Sequence, residues 1–444
     1  MTSPSEQQVV RTRHKATRSV GSLLEELNAE DLARKTNATR RKARKCTATQ
    51  LLLSFWELCG KGANSYDNWA ARVGQAIGDT ITGMAICKRM NGDMIRFLTE
   101  LLGSALAPRN RPLFSPDLFA AFKEVLVQDA SHFSLPAGLA AHFPGSHSHT
   151  GDAATAKVQA VLSLTQGSLV DLQLGCFRDN DQGDAARIST MVKKGSLVIR
   201  DLGYFTMDAF NAIVGKEAFF LSRFKGNVSV FCVDNGQEID LAHYLKQHGH
   251  MDQEVIIGNR KQLRCRMVAI ELPAQQVAQR VRKAKTDRSA KTNHSKAYYA
   301  LLKYSIYITN VDGETWSALQ VAQAYRCRWF IEILFKSWKT GLGLDFNVPG
   351  RYAHKLRVEY YLYARLLQVV LLVMPTFRAV TLMVRRKGRT ISIIKLSRFI
   401  RDEIHAFTTA KNLQELFDKA AYHCVYELRR RRSNSIEMLL ASSP

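Results

Sequence analysis

The segment Tyr325–Lys339, YRCRWFIEILFKSWK, sets cations around a single carboxylate, Glu332, among large apolar side chains. On a helix advancing about 100° per residue, Tyr325, Arg328, Glu332, Lys336 and Lys339 fall within roughly 80° of one another. Phe330, Ile331, Ile333, Leu334, Phe335 and Trp338 spread over most of the remaining circumference. Such a helix is expected to be buried on most sides and to show one narrow, mainly cationic stripe, like the wall of a cleft. The same spacing also fits a solvated ladder, because Arg328 and Lys336 lie four residues to either side of Glu332. Other acids meeting the stripe would separate the two readings.

Two short apolar runs end on such acids: EVLVQD at Asp129 and SLVIRD at Asp201. Strand ends are where an open α/β sheet places its ligand crevice. Three converging carboxylates can hold two divalent ions about 4 Å apart, one activating a water or a 3′-hydroxyl and the other stabilising the departing oxygen of a phosphodiester. Mg²⁺ suits this, since it takes few carboxylates and completes its shell with water and phosphate; Mn²⁺ is expected to substitute. The cations around Glu332 would then face DNA phosphates. Each acid alone also fits a turn or a helix cap.

Composition agrees with a polyanionic partner. Over 444 residues, 63 Lys and Arg against 39 Asp and Glu leave a net charge of +24, which points to nucleic acid. The longest apolar run, Tyr360–Met374, is broken by Arg365 and Gln368 and reads as too short to span a bilayer. The N-terminus is polar and basic, unlike a signal peptide. The eight cysteines stand singly, without a CxxC pair, which argues against zinc and for reduced thiols in a cytoplasmic, nucleoid-associated protein.

The first hundred residues read as helical and basic, with Arg40, Arg41 and Lys42 in a run of seven cations that suits phosphate contact. Trp69–Met90 reads as two short helices around Gly78-Asp79, with Thr80 capping the second, an arrangement like a helix-turn-helix. Pro108–Asp117 reads as a linker. Strands follow: Glu124–Asp129, a hairpin over Lys157–Gly175, Ser196–Asp201, a strand run from Ala218 to Leu272, and Tyr304–Asn310. Between the last two lies a basic helical stretch, Arg280–Lys303, and the remainder is helical.

Tyr325, Arg328, Glu332 and Lys339 follow the spacing Y-x2-R-x3-E-x6-K. This resembles the signature of one large branch of DDE transposases from bacterial insertion sequences, the group numbered four. RDLGYF resembles that family's second motif, with Asp201 as its acid, and VQDASHFSLP the first, with Asp129. YITN and SRFKGN fit as well, the latter carrying Arg223. Ala130-Ser131 departs from the family's first motif, where Ser or Gly followed by Thr is expected.

The resemblance implies an α/β fold: an RNase H-like core with a β-strand insertion between the second Asp and the Glu, flanked by helical domains. Asp201 and Glu332 lie 131 positions apart, room enough for the insertion. The implied organisation is a helical DNA-end-binding domain over 1–107 and a core split into 118–210 and 304–375. A β-rich insertion with a basic helix fills 211–303, and a helical region over 376–444 pairs two subunits. Asp129, Asp201 and Glu332 are the implied metal ligands. Tyr325, Arg328 and Lys339 would grip phosphates of the transposon end, with Lys336 and Arg223 nearby. Tyr304, on the strand before the signature, is a candidate for stacking a base turned out of the duplex.

The expected protein is therefore a cut-and-paste transposase. It is expected to act on double-stranded DNA, both inverted-repeat ends and target, as a homodimer in the synaptic complex, by a hairpin route and without a membrane. Two rivals stand beside it. A metal-dependent nuclease on the same core would not join strands, and a non-catalytic DNA-binding protein would not cut.

Overall fold

The computed structural model describes residues 19–40, 45–60, 65–106, 113–114, 116–148, 151–179, 181–286, 295–344, 354–385 and 387–426. These form a mixed α/β architecture of ten strands and many helices. The strands in chain order are β1 (Glu124–Leu135), β2 (Pro144–Ser148), β3 (Gly151–Ser163), β4 (Ser168–Cys176), β5 (Ser196–Arg200), β6 (Phe219–Arg223), β7 (Val230–Cys232), β8 (Met251–Ile257), β9 (Leu263–Glu271) and β10 (Tyr304–Thr309). The described residues divide into two compact units, and the chain passes from one to the other after Phe114, after Asp129, after Arg178 and after Trp329.

One unit, residues 116–129 and 179–329, carries the strand order β1-β5-β6-β10-β9-β8-β7. β1, β5 and β6 are parallel, and the remaining pairs are antiparallel. All five residues of β5 are buried, as a strand covered on both faces requires. The helix Met207–Val214 supplies the crossover from β5 to β6 that a parallel pair needs. Trp316 closes one end of this core. Its indole N–H donates to the Leu118 carbonyl at 2.8 Å, and its ring meets Phe119 and Phe122.

The other unit takes the described residues of 19–114, 130–178 and 330–426. Its centre is aromatic: Phe55 packs on Trp69, Tyr360 and Tyr361 with ring centroids 4.9, 5.0 and 6.0 Å away. The Trp56 indole N–H donates to the Ala364 carbonyl at 2.7 Å, joining helices Ala48–Gly60 and Lys355–Gln368. The β3–β4 hairpin turns at 164–167, where Gly167 has φ +60°; a Cβ there would meet the Leu113 side chain at 2.7 Å.

Several expectations need correcting. β1 does not end at Asp129 but runs on to Leu135, because His132 alone is exposed among Ser131–Phe133 and the alternation of a sheet strand continues. The second short helix starts at Gly83 and is capped by the hydroxyl of Thr82, not Thr80, whose carbonyl instead accepts from Lys45. Leu113 and Phe114 are not linker: both are buried and both N–H groups donate to the Thr165 carbonyl. The apolar run around Tyr360 belongs to a longer helix, Lys355–Arg385, which is long and apolar enough to cross a bilayer, with 78% of its most apolar window buried inside the unit. A wide π turn, Val369–Val373, lies just ahead of Pro375, whose missing N–H and ring disfavour a regular turn there.

Candidate active site

The sheet register brings the two aspartates together. Gln128 on β1 and Arg200 on β5 are parallel partners. Side chains alternate along a strand, and neighbouring strands lie about 4.8 Å apart, so Asp129 and Asp201, one position on, are neighbours on the opposite face. Gln128 and Arg200 reach the same segment: Gln128 Nε2 donates to Asp184 Oδ2 at 3.0 Å, and Arg200 donates to the Ala185 carbonyl at 2.9 Å. The Arg200 guanidinium is fully buried against the Tyr204 and Phe210 rings, and burial pushes its pKa down to about 10. These two polar residues fix the strand ends from behind. Sequence reasoning missed them, although each breaks an apolar run one residue before an acid.

The signature residues do not lie on one uninterrupted helix, contrary to expectation. The helix Ala318–Arg326, opened by a Ser317–Gln320 capping box, ends in a tight turn. Cys327 N–H donates to Ala324 O and Arg328 N–H to Tyr325 O, both three residues back. In such a turn, residues i and i+3 eclipse. Arg328 therefore stacks over the Tyr325 ring, 5.8 Å from its centroid, and both point at the aspartates. The Tyr325 hydroxyl donates to Asp201 Oδ1 at 3.2 Å. Arg328 donates to Asp129 Oδ2 at 3.0 Å, and its Nε lies 3.9 Å from Asp201 Oδ1, an ion pair too long for a hydrogen bond. Side-chain exposure is 13% for Arg328, 17% for Asp129 and 41% for Asp201, so the second acid is the open one. Burial, reinforced by Asp201 but opposed by Arg328, pushes the Tyr325 hydroxyl well above its ordinary range and keeps it a donor.

Around this centre, Arg223 on β6 sits across from Tyr307 on β10, whose ring is 5.3 Å from that of Tyr325. Arg280, which sequence reasoning did not single out, donates to the Tyr304 carbonyl at 2.8 Å and to Ser305 Oγ at 3.0 Å. Its partial burial and the nearby Arg223 hold its pKa below the usual arginine range. Tyr304 itself is 8% exposed and its hydroxyl donates to the Leu245 carbonyl at 2.9 Å. A buried ring with its hydroxyl engaged does not suit stacking on a base turned out of the duplex.

Glu332 follows Arg328 by four residues and belongs to the other unit, half-buried in the first turn of the helix Trp329–Lys336. That helix is less enclosed than its composition suggests, since Trp329 is 56% exposed. Lys336 is exposed, and Lys339 lies in a π turn, Ser337–Gly341, with its ammonium 5.1 Å from the Phe133 ring centroid. Gly341 is needed there, because a Cβ would meet Ser397 Cβ at 2.6 Å. Arg40 pairs with Asp93 at 3.0 Å, while Arg41 and Lys42 lie outside the described residues.

Among the described residues, no group of three or more His, Cys, Asp or Glu gathers into a ready cation cage. Asp129 and Asp201 nevertheless fit a hard divalent ion. They are oxygen donors that already converge on one cation, and Mg²⁺ needs only one or two carboxylates beside water and phosphate.

Residues 120–358, more than half of the chain, match the family described as Transposase DDE domain. The chain belongs to this family: it is a DDE transposase of the bacterial insertion-sequence kind, an enzyme that cuts and transfers DNA strands. Enzymes of this family work with divalent metal ions. The chain is 26% identical over 412 residues to the transposase for insertion sequence element IS231F of Bacillus thuringiensis subsp. israelensis, covering 87% of this chain and 85% of that protein. It is 24% identical over 349 residues to the transposase for insertion sequence element IS1151 of Clostridium perfringens, covering 73% of each. Among solved structures, the piggyBac transposase synaptic complex with hairpin DNA matches with a TM-score of 0.40 at 8% identity, covering 90% of this chain and 82% of that one.

Proposed function

We propose that Asp129, Asp201 and Glu332 are the catalytic acids of an RNase H-like core interrupted by the strands and basic helices of 211–303. The observation that carries this reading is the meeting of Asp129 and Asp201, 72 positions apart, on one arginine of the Y-R-E-K signature. Divalent ions, Mg²⁺ or Mn²⁺, when bound by these acids supply a nucleophilic oxygen and stabilise the departing one. Arg328 and Lys339 hold phosphates of the transposon end, with Lys336 and Arg223 beside them. Arg offers a fork of donors to phosphate and Lys a point charge. Tyr325 orients Asp201 through its hydroxyl.

Hydrolysis at the end of the element frees a 3′-hydroxyl. That hydroxyl attacks the opposite strand to close a hairpin, water reopens it, and the hydroxyl then attacks a phosphodiester of target DNA. The N-terminal helices, with Arg40, engage the inverted-repeat end, and the C-terminal helices pair two subunits in a cytoplasmic, nucleoid-associated synaptic complex.

Asp129→Asn, Asp201→Asn and Glu332→Gln should each lower end cleavage by more than about 100-fold while gel shifts with end DNA stay near wild type, since metal ligation is separate from docking. Strand transfer from pre-cut ends distinguishes joining from hydrolysis alone. Two of the three variants retaining more than about a hundredth of wild-type cleavage would end the assignment. With a net charge of +24, duplex affinity should fall steeply with salt, by roughly 10³-fold or more between 50 and 200 mM. A flat titration would argue against an extended phosphate interface.

A further inference from the structure

We infer that Arg328 is a displaceable cation: it holds Asp129 and Asp201 in place and gives them up to a divalent ion only when a DNA phosphate draws its guanidinium away. The inference rests on the metal-site reading above. In that reading Arg328 has one role, on phosphate; in the structure it has another, on the acids themselves.

The geometry makes the two roles exclusive. One guanidinium serves both carboxylates, at 3.0 Å to Asp129 and 3.9 Å to Asp201. A divalent ion on the same oxygens would stand close to that guanidinium, and like charges at such separations repel strongly where solvent is scarce. Only the ion or the arginine can neutralise the pair at one time. Phosphate is a favourable alternative partner, because its oxygens accept two parallel N–H bonds from the guanidinium fork. The tight turn at Cys327–Arg328 fixes the backbone of the arginine, so the exchange needs only rotations of its side chain.

Tyr325 makes the exchange orderly. Its hydroxyl donates to Asp201 independently of Arg328. Asp201 therefore stays oriented when the arginine leaves. Asp201 is also the more open of the two acids, and hence the one that solvent-borne ions reach first. The arrangement separates a fixed neutral donor from an exchangeable charged one. It lets the acids acquire their reactive ions in step with arrival of the substrate, which limits hydrolysis of DNA not yet engaged.

The test measures Mn²⁺ binding to the full-length protein without DNA, by loss of the free-ion paramagnetic signal. Arg328→Gln should bind Mn²⁺ at least about tenfold more tightly than wild type, the usual size of a coupling between sites. Adding Asp201→Asn to Arg328→Gln should remove the gain, which places the extra affinity at the acids. Adding a duplex should raise Mn²⁺ affinity more in wild type than in Arg328→Gln. A merely structural ion pair predicts a lower melting temperature for Arg328→Gln and no gain in affinity, and that result overturns the inference.

Should Arg328→Gln not fold, Arg328→Lys carries the test, since it keeps the charge but loses the fork. Its affinity should exceed that of wild type, and equality would overturn the inference. If Asp129→Asn and Asp201→Asn bind Mn²⁺ as wild type does, the metal-site reading itself falls. If they lose binding while Arg328→Gln gains nothing, only the exchange falls.

Discussion

Arg328 and Arg365 lie in different units and are both withdrawn from solvent, yet their surroundings differ in kind. Arg328 faces two carboxylates. Arg365 is fully buried in the helical unit and, among the described residues, donates to neutral acceptors, the Gln368 side chain at 2.6 Å and the Leu342 carbonyl. The first arrangement sets one guanidinium between two charged acids, the kind of oxygen donors that a divalent ion also takes. The second ties the loop carbonyl of Leu342 to the helix Lys355–Gln368 and leaves nothing for a ligand to do. Burial of a cation thus marks function less well than the charge of what surrounds it.

The contrast is sharpest in alanine substitutions of the two arginines. Arg365→Ala should lower unfolding free energy by about 3 kcal/mol, through a cavity and a stranded carbonyl. Arg328→Ala should also lower stability, by about 3 kcal/mol, because it strips a largely buried Asp129 of its cation, but it should in addition impair end cleavage. Thermal melts read beside a cleavage assay decide this, and an equal loss of cleavage in Arg365→Ala would erase the distinction.

A smaller effect separates two lysines that one turn of the chain would seem to make equivalent. Lys339, held over Phe133 in the π turn, should lose about tenfold in cleavage when changed to Ala, whereas exposed Lys336 should lose less. Equal losses would mean that the signature spacing carries no special geometry.

Smallest is Trp56→Phe, which removes the 2.7 Å bond to the Ala364 carbonyl, an oxygen inside a helix that keeps its main-chain partner. A fall of about 1 to 2 kcal/mol, read from denaturant melts, is expected with cleavage unchanged. A change in cleavage without a change in stability would show that the helical unit feeds into the chemistry directly.

The strands around Asp201 were legible because β5 and β10 are short, apolar and bounded, so composition alone isolates them; their order in the sheet was not. The Y-R-E-K spacing was legible because identity and interval suffice to see it. Three things were not. The break at Cys327–Arg328 has no glycine or proline to announce it. The backing of the acids by Gln128 and Arg200 depends on a parallel register that periodicity does not encode. Tyr304 looked available because an apolar strand says nothing of which carbonyl, here that of Leu245, will claim a hydroxyl.

The bond between Trp56 and Ala364 spans 308 positions of sequence. At ordinary synthesis rates the helix carrying Trp56 waits roughly 15 to 60 s for its partner to leave the ribosome. During that interval Phe55 and Trp69 lack the aromatic companions at Tyr360 and Tyr361 that later pack on them. A chain halted before residue 355 would expose this surface permanently. Dosage of active enzyme is therefore set by completed translation, and premature stops in the gene should yield aggregates, not shortened enzymes that still engage DNA.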